Sequence, residues 1–427
     1  MKILNSIGLD GAIIKNISAL FSIRVSNYVI PLITLPYLVR VLEPTGFGIL
    51  SLIIAVNQYF ILIVSYGFDL SATQKVARKQ QDLETISKTF WDVLFCRILL
   101  LILCFSVFIV VLNVSESFFL DTKTALSGFL TVIGTAFYQQ WIFQGKEKLG
   151  MVSLLRVITQ LVSVPLLLFY VNSPSDIWIA VLISSFPTCI VAIFSNVLIW
   201  KRKWIIYNKP TIEGLKNELM DGWHLFISTI STTLYTTTIT VALGIVSGPV
   251  AVAAYASANK LIVAAKNLAT PISSSFYPRI NRLHTENRIQ AKKLTVKLFK
   301  IQSFLMLTIG ILIFVFSEEI VSLLFGLNYT DTVPVLRIMA FIPVLVSISN
   351  VLGVHVLIIH GFKKEFSKVI VLTGIIGLLL IFPLCYQFGV YGAAFTALAA
   401  ELIVAILMLS KVFKYTNFIE RDINEKI

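Results

Sequence analysis

The chain has 427 residues, of which 57% are hydrophobic and 13% charged, with a formal net charge of +13 and a mean hydropathy of +0.88. A soluble domain carries about 25% charged residues. This composition therefore excludes one large soluble core and points to a bundle whose outer face is solvated by lipid. The positive balance would suit nucleic acid, but its placement reads as membrane topology, and no nucleic-acid partner is expected.

Apolar stretches near the ~20 residues needed to cross a bilayer fall at 16–39, 46–67, 90–112, 124–143, 151–171, 177–200, 222–245, 250–275, 300–316, 334–359, 368–387 and 390–412. With the N-terminus inside, 28 of the 35 Lys and Arg lie in inner connections and tails. Only Arg40 and Lys123 fall in outer loops, and Arg24, Arg97, Lys260, Lys266 and Arg337 lie within spans. That asymmetry is the positive-inside rule, and it places both termini in the cytoplasm. The expected fold class is an all-α integral membrane protein of about twelve transmembrane helices. The first 15 residues are mixed and the first apolar segment, which carries Arg24, is too long for an h-region, so no cleavable signal peptide is expected.

The outer connections are short: around Glu43-Pro44, 113–123, 172–176, 246–249, 317–333 and 388–389. The longest inner ones are 68–89, 201–221 and 276–299, and the last two are expected to hold short amphipathic helices on the membrane surface. Arg279, Arg282, Arg288, Lys292, Lys293 and Lys297 in the third would face anionic headgroups. The 201–221 connection is read as a cytoplasmic linker between two six-helix lobes, 1–200 and 222–427. An internal echo supports two halves. Leu42-Glu43-Pro44-Thr45-Gly46-Phe47-Gly48 opens span 2, and Val246-Ser247-Gly248-Pro249-Val250-Ala251 opens span 8. Both are outer Pro/Gly breaks leading into a span that ends in a long basic loop. Six spans per half make the repeat parallel, its pseudo-two-fold axis along the membrane normal.

Cys96, Cys104, Cys189 and Cys385 all fall in spans and are expected as free thiols, with no disulfide framework and no CxxC metal spacing. No metal or cofactor is expected.

Ionisable groups inside a span are costly and usually face the bundle interior or a wet cavity. At ~100° per residue, span 1 aligns Asn16, Arg24, Asn27, Tyr28 and Thr34. Span 2 aligns Ser51, Gln58 and Ser65, and span 4 aligns Ser127, Thr131, Thr135 and Tyr138. Span 7 aligns His224, Ser228, Ser231, Thr232, Tyr235 and Thr238, and span 8 holds Asn259, Lys260, Lys266 and Asn267 in a broad arc. Such Ser/Thr stripes also serve simply to let helices pack closely, and that reading is preferred for span 4. Lys266, Arg97 and Arg337 lie near enough to helix ends to snorkel. Arg24 and Lys260 are too deep for that and are expected to line a cavity. With no acid near the middle of spans 1, 2, 7 or 8, such a cavity is cationic and suits an anionic head group such as a diphosphate, with attached sugars. The candidate substrate-binding residues are Arg24, Asn27, Tyr28, Gln58, His224, Ser228, Tyr235, Asn259, Lys260 and Lys266. Glu401 in span 12 is the one deep acid, open to pairing with a base, carrying a proton or facing a wet crevice. Asp69 is expected to cap or orient the basic loop beside it, and His355 and His360 to be packing or surface residues. The adjacent Glu318 and Glu319 read as solvated loop charge.

Residues 15–40 with Leu42–Gly48, then Tyr66-Gly67-Phe68-Asp69-Leu70-Ser71-Ala72-Thr73-Gln74 and Val76-Ala77-Arg78, resemble the Wzx-type O-antigen flippases. Phe143-Gln144-Gly145-Lys146-Glu147 and Phe276-Tyr277-Pro278-Arg279-Ile280 are similar to the matching family positions. The resemblance runs through the whole chain in span order and loop length, and that family sits in a superfamily with multidrug extruders and peptidoglycan-precursor flippases. It implies two six-helix lobes around a central cavity that opens alternately to either side. It also implies an oligosaccharide linked through diphosphate to undecaprenol as cargo, moved from the cytoplasmic to the periplasmic leaflet of the bacterial inner membrane. Coupling would be to an ion gradient, most plausibly protons, as in an antiporter. Association with the polysaccharide polymerase machinery is compatible with that role. The absence of a P-loop agrees.

A small-molecule exporter of the same fold is disfavoured by the missing mid-span acid in spans 1 and 7. The peptidoglycan-precursor flippases carry two further C-terminal helices beyond the point where this sequence stops. A membrane glycosyltransferase or polymerase would need acid or base groups on a sizeable loop, and no paired-carboxylate site stands out; the chain is not expected to be an enzyme.

Overall fold

The computed structural model describes residues 11–114 and 121–416, and all of their side chains except those of 11–32, Val114, Ser228, Leu234 and Tyr235. The described residues are helical almost throughout and contain no strand. Among them, eight helices are long and apolar enough to cross a membrane, and the chain is a multi-pass membrane protein. It divides into two compact units, one ending at Ile230 and the other beginning at Ser231.

The first unit comprises α1 (Gly11–Ser65), α2 (Phe68–Arg78), α3 (Leu83–Val114), α4 (Thr122–Phe137), α5 (Gln140–Gly145), α6 (Gly150–Tyr170), α7 (Ile177–Lys201) and the start of α8 (Ile212–Asn267). Helix α1 carries the first two apolar stretches in one run, broken at Glu43, whose backbone sits at φ 56° and ψ 174°. Helix α8 is broken in the same way at Gly248, at φ 79° and ψ −178°. Each of these residues precedes a proline, which brings no N–H to the helix and bars the helical conformation at the preceding residue. The two Pro/Gly echoes of the sequence thus fold into the same local backbone conformation. Glycine adopts it freely at 248; at 43 a glutamate is held in a region that is essentially glycine's own.

The run 124–143 is not one helix. Helix α4 ends at Phe137, and Tyr138 is extended (φ −81°, ψ 112°) before the short α5. Arg97 accounts for the break. Its guanidinium donates to the Tyr138 carbonyl at 2.8 Å and, at 3.5 Å, to the Thr135 carbonyl, which also accepts from the Tyr138 amide at 3.3 Å, and it pairs with Asp69 at 2.7 Å. Arg97 is 1% exposed, so it does not snorkel as expected; it stands in for the missing backbone donors where water cannot. Asp69, at the first turn of α2 and expected to cap or orient the basic loop beside it, instead pairs its carboxylate with Arg97 of α3.

That first turn is tightly built. Tyr66 and Gly67 both have positive φ, 45° and 87°, and a Cβ on Gly67 would lie 2.8 Å from Leu225 Cβ and 2.9 Å from the Gly222 carbonyl oxygen. The turn therefore lets α2 lie against the start of α8, where Tyr66 stacks on Phe226 with ring centroids 4.6 Å apart. Lys75 on α2 then reaches Glu218 at 2.7 Å and Asp221 at 2.8 Å. Burial pushes the Glu218 carboxyl up from its ordinary value, and the Lys75 ammonium opposes that shift. Nearby, hydrogen bonds from the Thr85 hydroxyl and amide, with Lys79 beside them, hold Asp82 down at about 2.

The 201–221 stretch has only its second part helical. Residues before Ile212 run without regular structure and are tied to α3: the Ile206 amide donates to Ser87 Oγ at 2.9 Å, Trp91 Nε1 donates to the Ile206 carbonyl at 3.0 Å, and the Thr211 amide donates to Asp92 Oδ1 at 3.3 Å. Phe68, Phe90, Trp141 and Phe143 fill the core at this end of the unit, and Phe60, Phe108 and Phe129 form an aromatic cluster further along.

The second unit takes the rest of α8, then α9 (Ala269–Glu286), α10 (Arg288–Val315), α11 (Ser317–Phe325), α12 (Thr332–Met339), α13 (Ile342–Asn350), a π-helical turn at Val351–Ile358, and α14 (Lys363–Tyr415). The 276–299 connection, expected to hold an amphipathic surface helix, is helical on both sides of Asn287, in α9 and the start of α10, and the Asn287 side chain caps the Gln290 amide at 3.0 Å. The 317–333 stretch, read as an outer loop, forms α11 and a 3₁₀ turn at Leu327–Tyr329 instead. Glu318 is not free loop charge: it accepts from Arg337 at 2.9 Å, while Arg337 Nε donates to Ser317 Oγ at 2.8 Å. Helix α14 carries the last two stretches, broken at Gly389. The four cysteines are free thiols.

The paired breaks give a reciprocal prediction. Glu43→Gly should raise thermal stability in detergent and Gly248→Ala should lower it, each by about 1–3 kcal/mol of backbone strain. Gly248 has nothing within 4 Å of an added Cβ, so only the backbone is tested there. A melting curve unmoved by both changes would overturn the strain reading.

Candidate functional site

The second half of α8 is rich in small residues: Ala253, Ala254 and Ala258 are buried, as are Ala393, Ala394 and Ala400 in the second half of α14. Small side chains let helices approach closely, and what remains between them at the larger positions is a polar crevice. It has a volume of 120 Å³, and Tyr255, Asn259 and Lys266 of α8, Thr236 earlier on the same helix, and Glu401 of α14 line it. Tyr255, Asn259 and Lys266 share one face because they stand four and seven residues apart. Lys266 lies in this crevice with Glu401, and its positive charge acts on the Glu401 carboxyl. A base and an acid lining one small crevice can offset each other's charge, which is less costly there than one charge alone.

The structure sorts the sequence-predicted residues as follows. Asn259 and Lys266 come together with Glu401. Lys260 is half-buried on the same helix but not among the residues lining the crevice; one residue on from Asn259, it points about 100° away. Gln58 and His224, in the first unit, are exposed. Arg24, Asn27, Tyr28, Ser228 and Tyr235 have side chains outside those described, and only their helical backbone in α1 and α8 is placed. The Ser/Thr stripe of α4 serves packing: Thr131 donates to Ser185 of α7 at 2.8 Å, and Gly134 lies against Thr188 and Cys189.

Glu401 is the residue that sequence alone left open. Its signal was its depth in an apolar span, but its partner sits on a helix far away in sequence. His355 is the other. It is buried, and its Nε2 lies 2.7 Å from Ser273 Oγ, which donates to Asn350 Oδ1 at 2.9 Å. The reading of His355 as a packing residue therefore covers only part of its role.

The match to known proteins covers nearly the full chain. The family model for "Polysaccharide biosynthesis protein" matches residues 13–284. A "Putative O-antigen transporter" of Escherichia coli (strain K12) is 35% identical over 396 residues, 92% of this chain and 95% of its own. A second protein of that name, from Shigella dysenteriae, is 30% identical over 398 residues, 93% of this chain and 99% of its own. Among solved structures, "Lipid II flippase MurJ, inward closed conformation" aligns with a TM-score of 0.74 at 12% identity, covering 94% of this chain and 87% of that one. At that identity the likeness is one of fold.

If Lys266 and Glu401 act as a pair, Lys266→Gln and Glu401→Gln should each lower thermal stability in detergent, and the double variant should lose less than the sum by about 0.5–3 kcal/mol. Strict additivity across the four proteins would show that the two side chains do not sense one another.

Proposed function

The chain belongs to the family of polysaccharide biosynthesis proteins, and from that membership we propose that it is a flippase for lipid-linked glycan. Its cargo is an undecaprenyl-diphosphate-linked oligosaccharide repeat unit, of O-antigen or a similar surface polysaccharide. It carries that unit from the cytoplasmic to the periplasmic leaflet of a bacterial inner membrane by alternating access. The observation that carries this reading is the likeness of nearly the whole chain to two O-antigen transporters. The flippase-like fold and the basic residues within apolar helices support it.

In this reading the chain crosses the membrane about twelve times with both termini in the cytoplasm, as the placement of Lys and Arg requires. Arg24 and Lys260 meet the diphosphate by charge-assisted hydrogen bonds. Asn27, Tyr28, Gln58, His224, Ser228, Tyr235 and Asn259 offer donors and acceptors to the sugar hydroxyls. The polyprenyl tail stays in lipid, so only the polar head needs shelter from the bilayer. Coupling to protons fits the crevice of the second unit. Glu401 there can take up a proton, and Lys266 lines the same crevice, so protonation changes the crevice's net charge.

Deletion in the native host should abolish the surface polymer and leave complete lipid-linked repeat units facing the cytoplasm, read by mass spectrometry of the lipid pool and by their resistance to an externally added glycosidase. Truncated units would point to an enzyme of glycan assembly, and an intact polymer to another cargo. Arg24→Ala at native expression should insert normally yet cut polymer display at least about tenfold, the loss of one charge-assisted phosphate contact. Normal display by that variant would remove Arg24 from the site.

A further inference from the structure

A second cavity in the same unit, of 430 Å³, is open at one side and differs in kind from the Glu401 crevice. Four positions on one face of α10 line it, with Arg288 and Lys292 carrying the charge. His284 enters from α9, His355 and His360 from the π-helical segment and the turn after it, and Tyr415 from the end of α14. Among the described residues, no Asp or Glu lines it. The His284 and His360 rings meet edge to face with centroids 4.4 Å apart. Of the basic residues expected to face headgroups at the surface, Arg279, Arg282, Arg288, Lys293 and Lys297 are exposed and Lys292 is half-buried, and Arg288 and Lys292 also border this cavity.

An independent observation points to an occupant. His355 lines the cavity and is 1% exposed, and its Nδ1 is buried without a hydrogen-bond partner. With the Ser273 hydroxyl donating to Asn350, Nε2 holds the ring proton and Nδ1 presents a lone pair. A buried polar atom left unmade costs about 1–3 kcal/mol, which a hydroxyl-bearing ligand would recover. The volume lies within the ~300–1,000 Å³ usual for ligand sites, far more than one inorganic ion fills. The first turns of α10 and α14 border it as well, since Arg288 opens α10 and the lining residue Phe362 caps α14, and helix N-termini favour anions.

We propose that this cavity binds a phosphate-bearing, hydroxylated headgroup. Arg288 and Lys292 take the phosphate oxygens, His284 and His360 flank them, and His355 Nδ1 accepts from a ligand hydroxyl. The source is either a membrane phospholipid or a soluble phosphate compound. The orientation given under the proposed function places the cavity at the cytoplasmic face, but binding itself does not depend on glycan transport, so either reading can fail alone.

The test uses the full chain purified in detergent and native mass spectrometry with three probes: phosphatidylglycerol, phosphatidylcholine and inorganic pyrophosphate. Arg288→Gln/Lys292→Gln is compared with Lys293→Gln/Lys297→Gln, which removes the same charge from exposed positions of the same helix, and with His284→Gln. The expected result is preferential retention of phosphatidylglycerol over phosphatidylcholine, weakened about tenfold by the first pair and by His284→Gln but not by the control pair. Weakening of pyrophosphate alone, with the same pattern among variants, supports the site with a soluble ligand. Equal retention of every probe by all four proteins, or an equal loss in the control pair, overturns the proposal. Should the first pair fail to fold, His284→Gln decides between these outcomes.

Discussion

A bilayer offers no water to a backbone amide or carbonyl, so every departure from a helix must bring its own partner. The structure can be followed from that constraint. Where α4 stops at Phe137, the Tyr138 amide turns back to the Thr135 carbonyl and the Tyr138 carbonyl is taken up by the Arg97 guanidinium. Where α6 ends, the Tyr37 hydroxyl donates to the Val171 carbonyl at 2.7 Å and to the Leu168 carbonyl at 3.1 Å. Arg97 is costly to bury, and its pairing with the half-exposed Asp69 offsets part of that cost. Its retention at 1% exposure makes sense as the hydrogen-bond donor that permits a non-helical break, with Asp69 supplying the counter-charge.

This explains what could be read from the sequence and what could not. Length and hydropathy locate apolar segments, because the bilayer sets both. The Glu43-Pro44 and Gly248-Pro249 breaks were visible because proline acts on the residue immediately before it, which is a local effect. The break at Tyr138 was not, because no proline or glycine marks it and its cause, Arg97, lies on another helix. Arg97 read as a snorkelling residue for the same reason: near a helix end, nothing local distinguishes an arginine reaching for water from one reaching for a carbonyl. The 317–333 stretch read as a loop because its acids and Gly326 resemble loop composition, yet α11 forms and Arg337 pairs with one of those acids.

The polar residues of the apolar helices separate by what surrounds them. Thr131 and Ser185 satisfy each other across two packed helices and need no cavity. Asn259 and Lys266 open onto a crevice because the neighbours along their helices are alanines, which leave space where larger side chains would fill it. Sequence periodicity puts both kinds on helix faces and cannot tell them apart. The difference lies in the side-chain volume on the opposing helix, which only the tertiary structure provides. For the crevice, therefore, the shared face of Asn259 and Lys266 was legible, while the grouping of Lys266 with Glu401 and the separation of Lys260 from them were not.

Charge balance then distinguishes the two cavities of the second unit. In the Glu401 crevice one base meets one acid, so the site can be neutral when empty, and a proton shifts its charge by one. In the Arg288 cavity, bases and histidines converge, and no acid is among the described residues that line it. Self-contained neutrality suits a group that cycles between protonation states without a bound partner. A basic lining suits an anion, whose entry would offset the repulsion among those groups. The same unit thus holds one crevice lined by both a base and an acid and one cavity whose described lining is basic.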